Sequence, residues 1–177
     1  MGGAGYEPVE VIEKQKIGTI TFVSRELLGN DASRAQFVIY AHNATYDKLH
    51  QVATLGLTAA AMGKDVIVVL LFWTIKKLAE GRLNELDFPP EYAAQAPEVA
   101  RLIRERNVPL ISDMFKEAKQ VGQFKLVACS AGLEYMGVDA QAVNDGVDEV
   151  MGLPAILAAC AGAETTLVGW TAMAFTN

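Results

Sequence analysis

Three features of the sequence predict a single α/β domain whose mostly parallel central sheet is covered by helices on both faces. Residues 65–73, "DVIVVLLFW", are almost continuously apolar, as in a central parallel strand buried on both sides. From Gln36 onward, short strand-like runs alternate with longer stretches of helical periodicity. Glycines stand where the helical stretches should stop, at Gly63, Gly81, Gly122, Gly137 and Gly162. Such alternation implies right-handed crossovers and three layers, helix on sheet on helix.

Residues 1–35 precede this pattern and read as an N-terminal extension. Within it, residues 17–23 ("IGTITFV") have the composition of an edge strand, and residues 24–34 read as a short helix and a polar connection. The α/β domain is assigned to residues 36–177. Its first strand is "QFVIY", residues 36–40, and Asn43 is the expected N-cap of the helix that follows. Leu49, Val52, Ala53, Gly56, Ala59 and Ala60 share one face of that helix down to Met62. Because the face is mostly small, the helix is expected to lie close to what it covers.

After the apolar strand, Trp73 and Thr74 open a helix that ends near Gly81. A Pro-rich connection, residues 87–97, leads to a helix over residues 98–106, with Pro97 suited to its first turn. Ser112 is the expected cap of a helix over residues 113–120. "FKLVA" is the next strand, ended by Cys129, and a helix over residues 130–136 follows. Residues 147–152 read as a short strand. Pro154 starts an apolar helix, and "TTLVGW" is the last strand.

Composition excludes several classes of function. Hydrophobic residues make up 51% and charged residues 20%, which is globular composition. A net charge of −6 argues against nucleic acid as partner, since phosphate neutralisation needs clustered Lys and Arg. The most basic stretches, Lys76-Lys77 and residues 101–106, read as solvated helix faces. The acidic N-terminus lacks the apolar core of a signal peptide. The bulky apolar run at residues 66–73 is too short to span about 30 Å of hydrocarbon, as is residues 151–163. With two cysteines and no secretory signal, the expectation is a cytoplasmic protein with reduced thiols and no membrane partner.

In an open parallel sheet the functional crevice lies beyond the carboxyl ends of the strands. The clearest strands end at Ala41-His42-Asn43, Phe72-Trp73-Thr74 and Cys129-Ser130. Cys129 also precedes a helix, where the dipole and unpaired N–H groups favour an anion. A thiol there is expected to titrate below its usual value of about 8.5. Cysteines are also common core residues, so a packing role for Cys129 stands beside the reactive one. Cys160 falls with Leu153, Ile156 and Leu157 on one apolar helical face and reads as core.

Sharper chemistries fail on spacing. A phosphatase loop needs Arg six positions after the cysteine, where Tyr135 stands, and no C-x-x-C pair exists. "GLTAAAMGKD" precedes a strand instead of following one, and Asp65 occupies the Ser/Thr position of a phosphate loop. His42 is placed either to polarise a substrate and contact the Cys129 thiolate or simply to be exposed in a loop. His50 reads as solvated or helix-capping. Trp73 is either one wall of the crevice or a packing residue. A metal site would need three or four converging ligands, and only His42 and Cys129 converge, so neither metal nor other cofactor is expected.

With these motifs in order, the chain resembles the DsrE/DsrF-like family of small sulfur-trafficking proteins. The carriers are "LTAAAMGKDVIVVLLFW", "SDMFKEAKQVG", "KLVACSAGLEYMGV" and "DGVDEVMGLPAILAA". The resemblance runs over about residues 36–169 and implies a Rossmann-like or flavodoxin-like sheet and a homo-oligomer (trimer, tetramer or hexamer). It also implies a cysteine that carries sulfane sulfur as a persulfide. Only Cys129 matches that cysteine, while Ser130-Ala131-Gly132 replaces a bulkier Met-containing stretch. The expected activity is therefore a sulfur carrier or sulfurtransferase. Its partners would be sulfur donor and acceptor proteins or small sulfane-sulfur compounds. Ser130 and Ala131 N–H groups would be donors to the loaded sulfur, with His42, Asn43 and Thr74 as neighbours. The alternatives are a non-catalytic oligomeric ligand-binding or assembly module and a thiol redox sensor.

Overall fold

The computed structural model describes residues 35–168. Five strands form one all-parallel sheet: β1 (Phe37–Ala41), β2 (Val66–Leu70), β3 (Phe124–Cys129), β4 (Glu149–Met151) and β5 (Thr165–Val168). Their order across the sheet is β4-β3-β2-β1-β5. Helices α1 (Tyr46–Ala61), α2 (Trp73–Ala79), α3 (Ala96–Glu105), α4 (Ile111–Val121), α5 (Ser130–Tyr135) and α6 (Leu153–Ala159) connect them. The fold is a three-layer, Rossmann-like α/β domain, as the alternation of apolar runs predicted. The edge strand expected over residues 17–23 and the helix and polar connection expected over residues 24–34 lie outside the described residues.

The order of strands decides which helix covers which face. From β1 to β4 the chain steps outward in one direction, so right-handed crossovers place the intervening helices on one face. There, Leu49 and Val52 of α1, Ile75 of α2, Phe115 of α4 and Leu133 of α5 share a core with Val68, Leu70 and Ala128 of the strands. From β4 the chain turns back past β1 to form β5, which puts α6 on the opposite face. Ile156 of α6 and Cys160 pack there with Val38, Ile67, Val69, Val127 and Cys129. All five residues of β2 are buried, which is why that run contains no polar residue.

The small-residue face of α1 is buried at each of its expected positions, Leu49, Val52, Ala53, Gly56, Ala59 and Ala60. It lets α4 come close. A Cβ built on Gly122, just past the end of α4, would stand 2.4 Å from the Ala60 carbonyl oxygen. Because Gly122 has extended backbone, any residue suits its dihedrals, and only the space is missing.

Two expected caps are replaced by other devices. Asn43 is not the N-cap of α1; Thr45 holds that position and makes no side-chain cap. Asn43 instead accepts hydrogen bonds from the Thr45 backbone N–H (3.0 Å) and hydroxyl (3.0 Å), closing a turn before the helix. Ser112 lies inside α4, whose N-cap position is Leu110. The free N–H of Ser112 is satisfied from a distance by Asn84 Oδ1 at 3.1 Å, and Asn84 Nδ2 donates to Ser112 Oγ at 2.9 Å. The expected apolar face of the last helix is also split. Ile156 and Cys160 are buried, whereas Leu153 and Leu157 are about half exposed.

His50 departs from its expected solvated state. It lies one turn into α1, its ring 5.6 Å from that of Tyr46, and its Nε2 is buried without a hydrogen-bond partner. Burial holds its pKa below the ordinary 6.5. The unfolded chain therefore takes up this proton first as the pH falls. The stability from a neutral His50 is complete above pH 6.5 and is lost as the pH drops through the lowered value. Denaturant midpoints followed from about pH 7 to about pH 5 are expected to fall, and His50→Gln should flatten that slope. Independently, Gly122→Ala is expected to cost about 3 kcal/mol in urea unfolding, because backbone must move to make room.

Candidate functional site

Beyond the carboxyl ends of β1 and β2 the chain is tied by one side chain. Thr74 is fully buried. Its hydroxyl lies 2.8 Å from the Ala41 carbonyl oxygen and 2.9 Å from that of Leu71, and it accepts the Leu71 N–H at 2.9 Å. Leu71 N–H also reaches Ala41 O at 2.8 Å. The end of β1 and the turn from β2 into α2 are thus held as one unit. Thr74 was expected in the pocket, but it is the clamp behind it.

Within that turn Phe72 has φ 48° and ψ −115°, a conformation L residues with side chains avoid. The turn carries two aromatic side chains out of the core: Phe72 is 46% and Trp73 61% exposed. Phe72 stacks on Tyr135 of α5 with ring centroids 6.2 Å apart and planes at 23°. Nothing in residue type announces a positive φ at a phenylalanine, so no sequence signal for this feature existed.

An open cleft of about 470 Å³ lies between the loop after β1 and α2. Its lining includes His42, Asn43, Trp73, Lys76, Arg82 and Asp87. Three expected pocket residues, His42, Asn43 and Trp73, thus meet here, with Trp73 forming a wall. Trp73, Lys76, Lys77 and Glu80 follow helical spacing on α2, and that spacing would have exposed this face to sequence reasoning. Lys77 also corrects the reading of Lys76-Lys77 as a solvated pair. Its side chain is 5% exposed. Its ammonium donates to the Ala44 carbonyl at 2.7 Å and to Asp87. Burial of such a charge is tolerable because both partners are fixed. Glu80 bridges the exposed cations, 3.6 Å from Lys76 and 2.8 Å from Arg82.

Cys129, Ser130 and Ala131 do not line this cleft. Cys129 is the last residue of β3, paired with Met151 of β4, and the N-cap of α5. Handing sulfur to a partner asks for a thiol reachable from solvent, yet Cys129 is only 4% exposed. The alternation of β3 explains this. Ala128 faces the α1/α4 core, so Cys129 faces the opposite one, among Val127, Ile156 and Cys160. Ala131 and Met151 pack against the same cluster, while Ser130 stays exposed. Gly132 brings α5 close to the Phe72 turn: a Cβ there would lie 2.7 Å from Ile75 Cδ1, 3.4 Å from Phe72 N and 3.7 Å from Cys129 Cβ. α5 spans six residues, under two turns, so it contributes less aligned dipole than a longer helix.

Cys160 sits in the same cluster at 9% exposure. Burial pushes its thiol pKa up, with an opposing hydrogen bond from Tyr40. The Tyr40 phenol is pushed up to about 12, by burial first and Cys160 second. This thiol is held protonated and packed, in keeping with its reading as core. Among the described residues no group of three or more His, Cys, Asp or Glu side chains is placed to hold a metal ion. No helix among them is long and apolar enough to cross a membrane.

Compared with protein-family models and with curated proteins, the chain finds no match.

Thr74→Val removes the hydroxyl at nearly constant volume and leaves Leu71 N–H and the two carbonyls with fewer partners. A loss of about 2 kcal/mol in thermal or denaturant unfolding is expected, with Thr74→Ser retaining most of the stability.

Proposed function

We propose that the chain is a sulfur carrier of the DsrE/DsrF-like type, in which Cys129 holds sulfane sulfur as a persulfide. The observation that carries this reading is the place of Cys129. It ends a strand at the carboxyl edge of an all-parallel sheet and directly precedes a helix. The motifs around it, "KLVACSAGLEYMGV" and "DVIVVLLFW", support the same reading.

In the reaction, the Cys129 thiolate attacks the outer sulfane sulfur of a donor persulfide or polysulfide. A new S–S bond forms at Cys129 as the donor's S–S bond breaks, and the donor leaves as a thiolate. An acceptor thiolate then attacks the outer sulfur, and the Cys129 thiolate leaves. Electrons balance over the two steps without an added oxidant. The N–H groups of Ser130 and Ala131 are the nearest candidates to hold the anionic outer sulfur.

Burial of Cys129 fits a carrier that protects its cargo between partners, with transfer occurring through local opening. Two unpaired cysteines suit the reducing cytoplasm, which is the proposed location. Exposed aromatic and aliphatic side chains at Phe72, Trp73, Tyr135, Leu153 and Leu157 suit contact with other chains, whether homo-oligomer partners or sulfur acceptors.

One observation favours a second reading. The cleft is lined by His42, Asn43, Trp73 and Lys76 and excludes Cys129, as expected of a small-ligand-binding module in which the cysteine is packing.

Intact mass of the native protein after incubation with polysulfide separates the two. Wild type and Cys160→Ser are expected to gain reducible sulfur, and Cys129→Ser to gain none. Absence of loading in every form, or loading that follows Cys160, would overturn the carrier reading and leave the ligand-binding module.

A further inference from the structure

The crossover from β2 to β3 takes residues 71–123 and holds three α-helices where one would close it. α4 packs against α1 and buries Met114, Phe115 and Ala118. α3 does far less for its own domain: it buries Ala100 alone, with Ile103 partly buried against the core. Another stripe of its surface is left open. Gln95, Val99, Leu102 and Arg106 recur at i, i+4, i+7 and i+11, from one cap position of the helix to the other. Leu102 is half-buried, Val99 is 39% exposed, and Gln95 and Arg106 are exposed. Tyr92 before the helix and Leu110 after it are exposed as well, so apolar surface continues past both of its ends.

The charges on this stretch say what fits it. Residues 89–110 carry Glu91, Glu98 and Glu105 against Arg101, Arg104 and Arg106, so the stretch is neutral within a chain of net charge −6. Two copies of an acidic chain repel one another, and a neutral surface is where that repulsion is relieved. The signs are also ordered. Arg101 is taken up within the helix by Glu98 at 2.6 Å and Glu105 at 2.5 Å. Glu91 and Glu98 stand at the start of the stretch. Arg104 and Arg106, which form no ion pair among the described residues, stand at its end. A surface so ordered complements itself when turned end for end, as a two-fold axis turns it.

We propose that α3 is a docking surface for a second copy of this chain, the two helices lying antiparallel along the Gln95–Val99–Leu102–Arg106 stripe. In that pair Val99 lies against Leu102 of the partner subunit. Arg106 lies opposite the partner's Gln95, with the partner's Glu91 and Glu98 beside it. Self-docking through α3 is independent of the carrier reading, since neither Cys129 nor the cleft lining belongs to this stretch.

The association state of the full chain is read by analytical ultracentrifugation at about 20 μM, in the range where a modest interface is populated. Val99→Glu is expected to sediment with half the wild-type mass. Two charge reversals test the antiparallel order, one at the acidic end (Glu91→Lys with Glu98→Lys) and one at the basic end (Arg104→Glu with Arg106→Glu). All four positions are exposed, so urea midpoints should stay near that of wild type. Each reversal alone is expected to halve the mass, because like charges then face each other across the axis. An equimolar mixture of the two is expected to return to the wild-type mass, because the surplus of one sign then meets the other.

A wild-type chain with the mass of one protomer would overturn the proposal. So would a reversed or Val99→Glu variant that keeps the wild-type mass, which would place any self-association elsewhere. A mixture that stays at half mass would rule out the antiparallel pairing. Polysulfide loading enters none of these readings, so the carrier reading and the α3 pair stand or fall separately.

Discussion

The fully buried hydroxyl of Thr74 is the interaction on which this sheet edge depends. β1 and β2 are paired in register from Phe37 opposite Val66 to Ala41 opposite Leu70, and beyond those residues the ladder has run out. One bond still crosses there, from Leu71 N–H to Ala41 O at 2.8 Å, and the Leu71 carbonyl has no partner strand opposite it. Thr74 meets this need from the first turn of α2, with contacts of 2.8, 2.9 and 2.9 Å. The cost is taken two residues earlier, where Phe72 adopts a positive φ as α2 starts at once and brings the hydroxyl into place. The exposed positions of Phe72 and Trp73, and with them the cleft wall and the stack on Tyr135, follow from that geometry.

Parallel topology then separates the two candidate sites. Side chains alternate along each strand, so the last residue of β2 and the last residue of β3 point to different faces. Leu70 belongs to the core under α1 and α4, whereas Cys129 belongs to the core under α6. The cleft forms between the loop after β1 and α2, a helix of the first face. A cysteine one residue earlier would face the α1/α4 core, as Ala128 does. Proximity along the sheet edge brought His42, Trp73 and Cys129 to the same side of the molecule, and strand parity kept them out of one pocket.

Sequence reasoning located almost every element, because the signals it used are local and strong. The unbroken apolar run of β2, the glycines after α1 and α2, and Pro97 in the first turn of α3 each state their structural role in residue type. The caps were misassigned for the same reason turned around. Asn43 and Ser112 are good capping residues, but Asn43 was used by Thr45 and Ser112 was supplied by Asn84, 28 positions away. A long-range partner leaves no mark in a local pattern. The burial of Lys77 was hidden likewise, since its partners Ala44 and Asp87 are brought to it by the fold.

For Cys129 the sequence made the position legible and the exposure not. Exposure depends on which face the strand's last side chain takes, and that is decided by where the neighbouring helices lie. The right-handed step from β3 to β4 puts α5 on the α1/α4 side, and the return from β4 to β5 puts α6 on the other. Cys129 is thereby packed in one cluster with Ile156 of α6, with Ala131 of α5 against the same cluster. A group packed beside two short helices, of six and seven residues, sits next to the least cooperative pieces of the fold. Such pieces open locally at far smaller cost than unfolding of the sheet beneath them. Burial in this place is therefore compatible with reactivity in a way that burial under α1, with 16 residues, would not be.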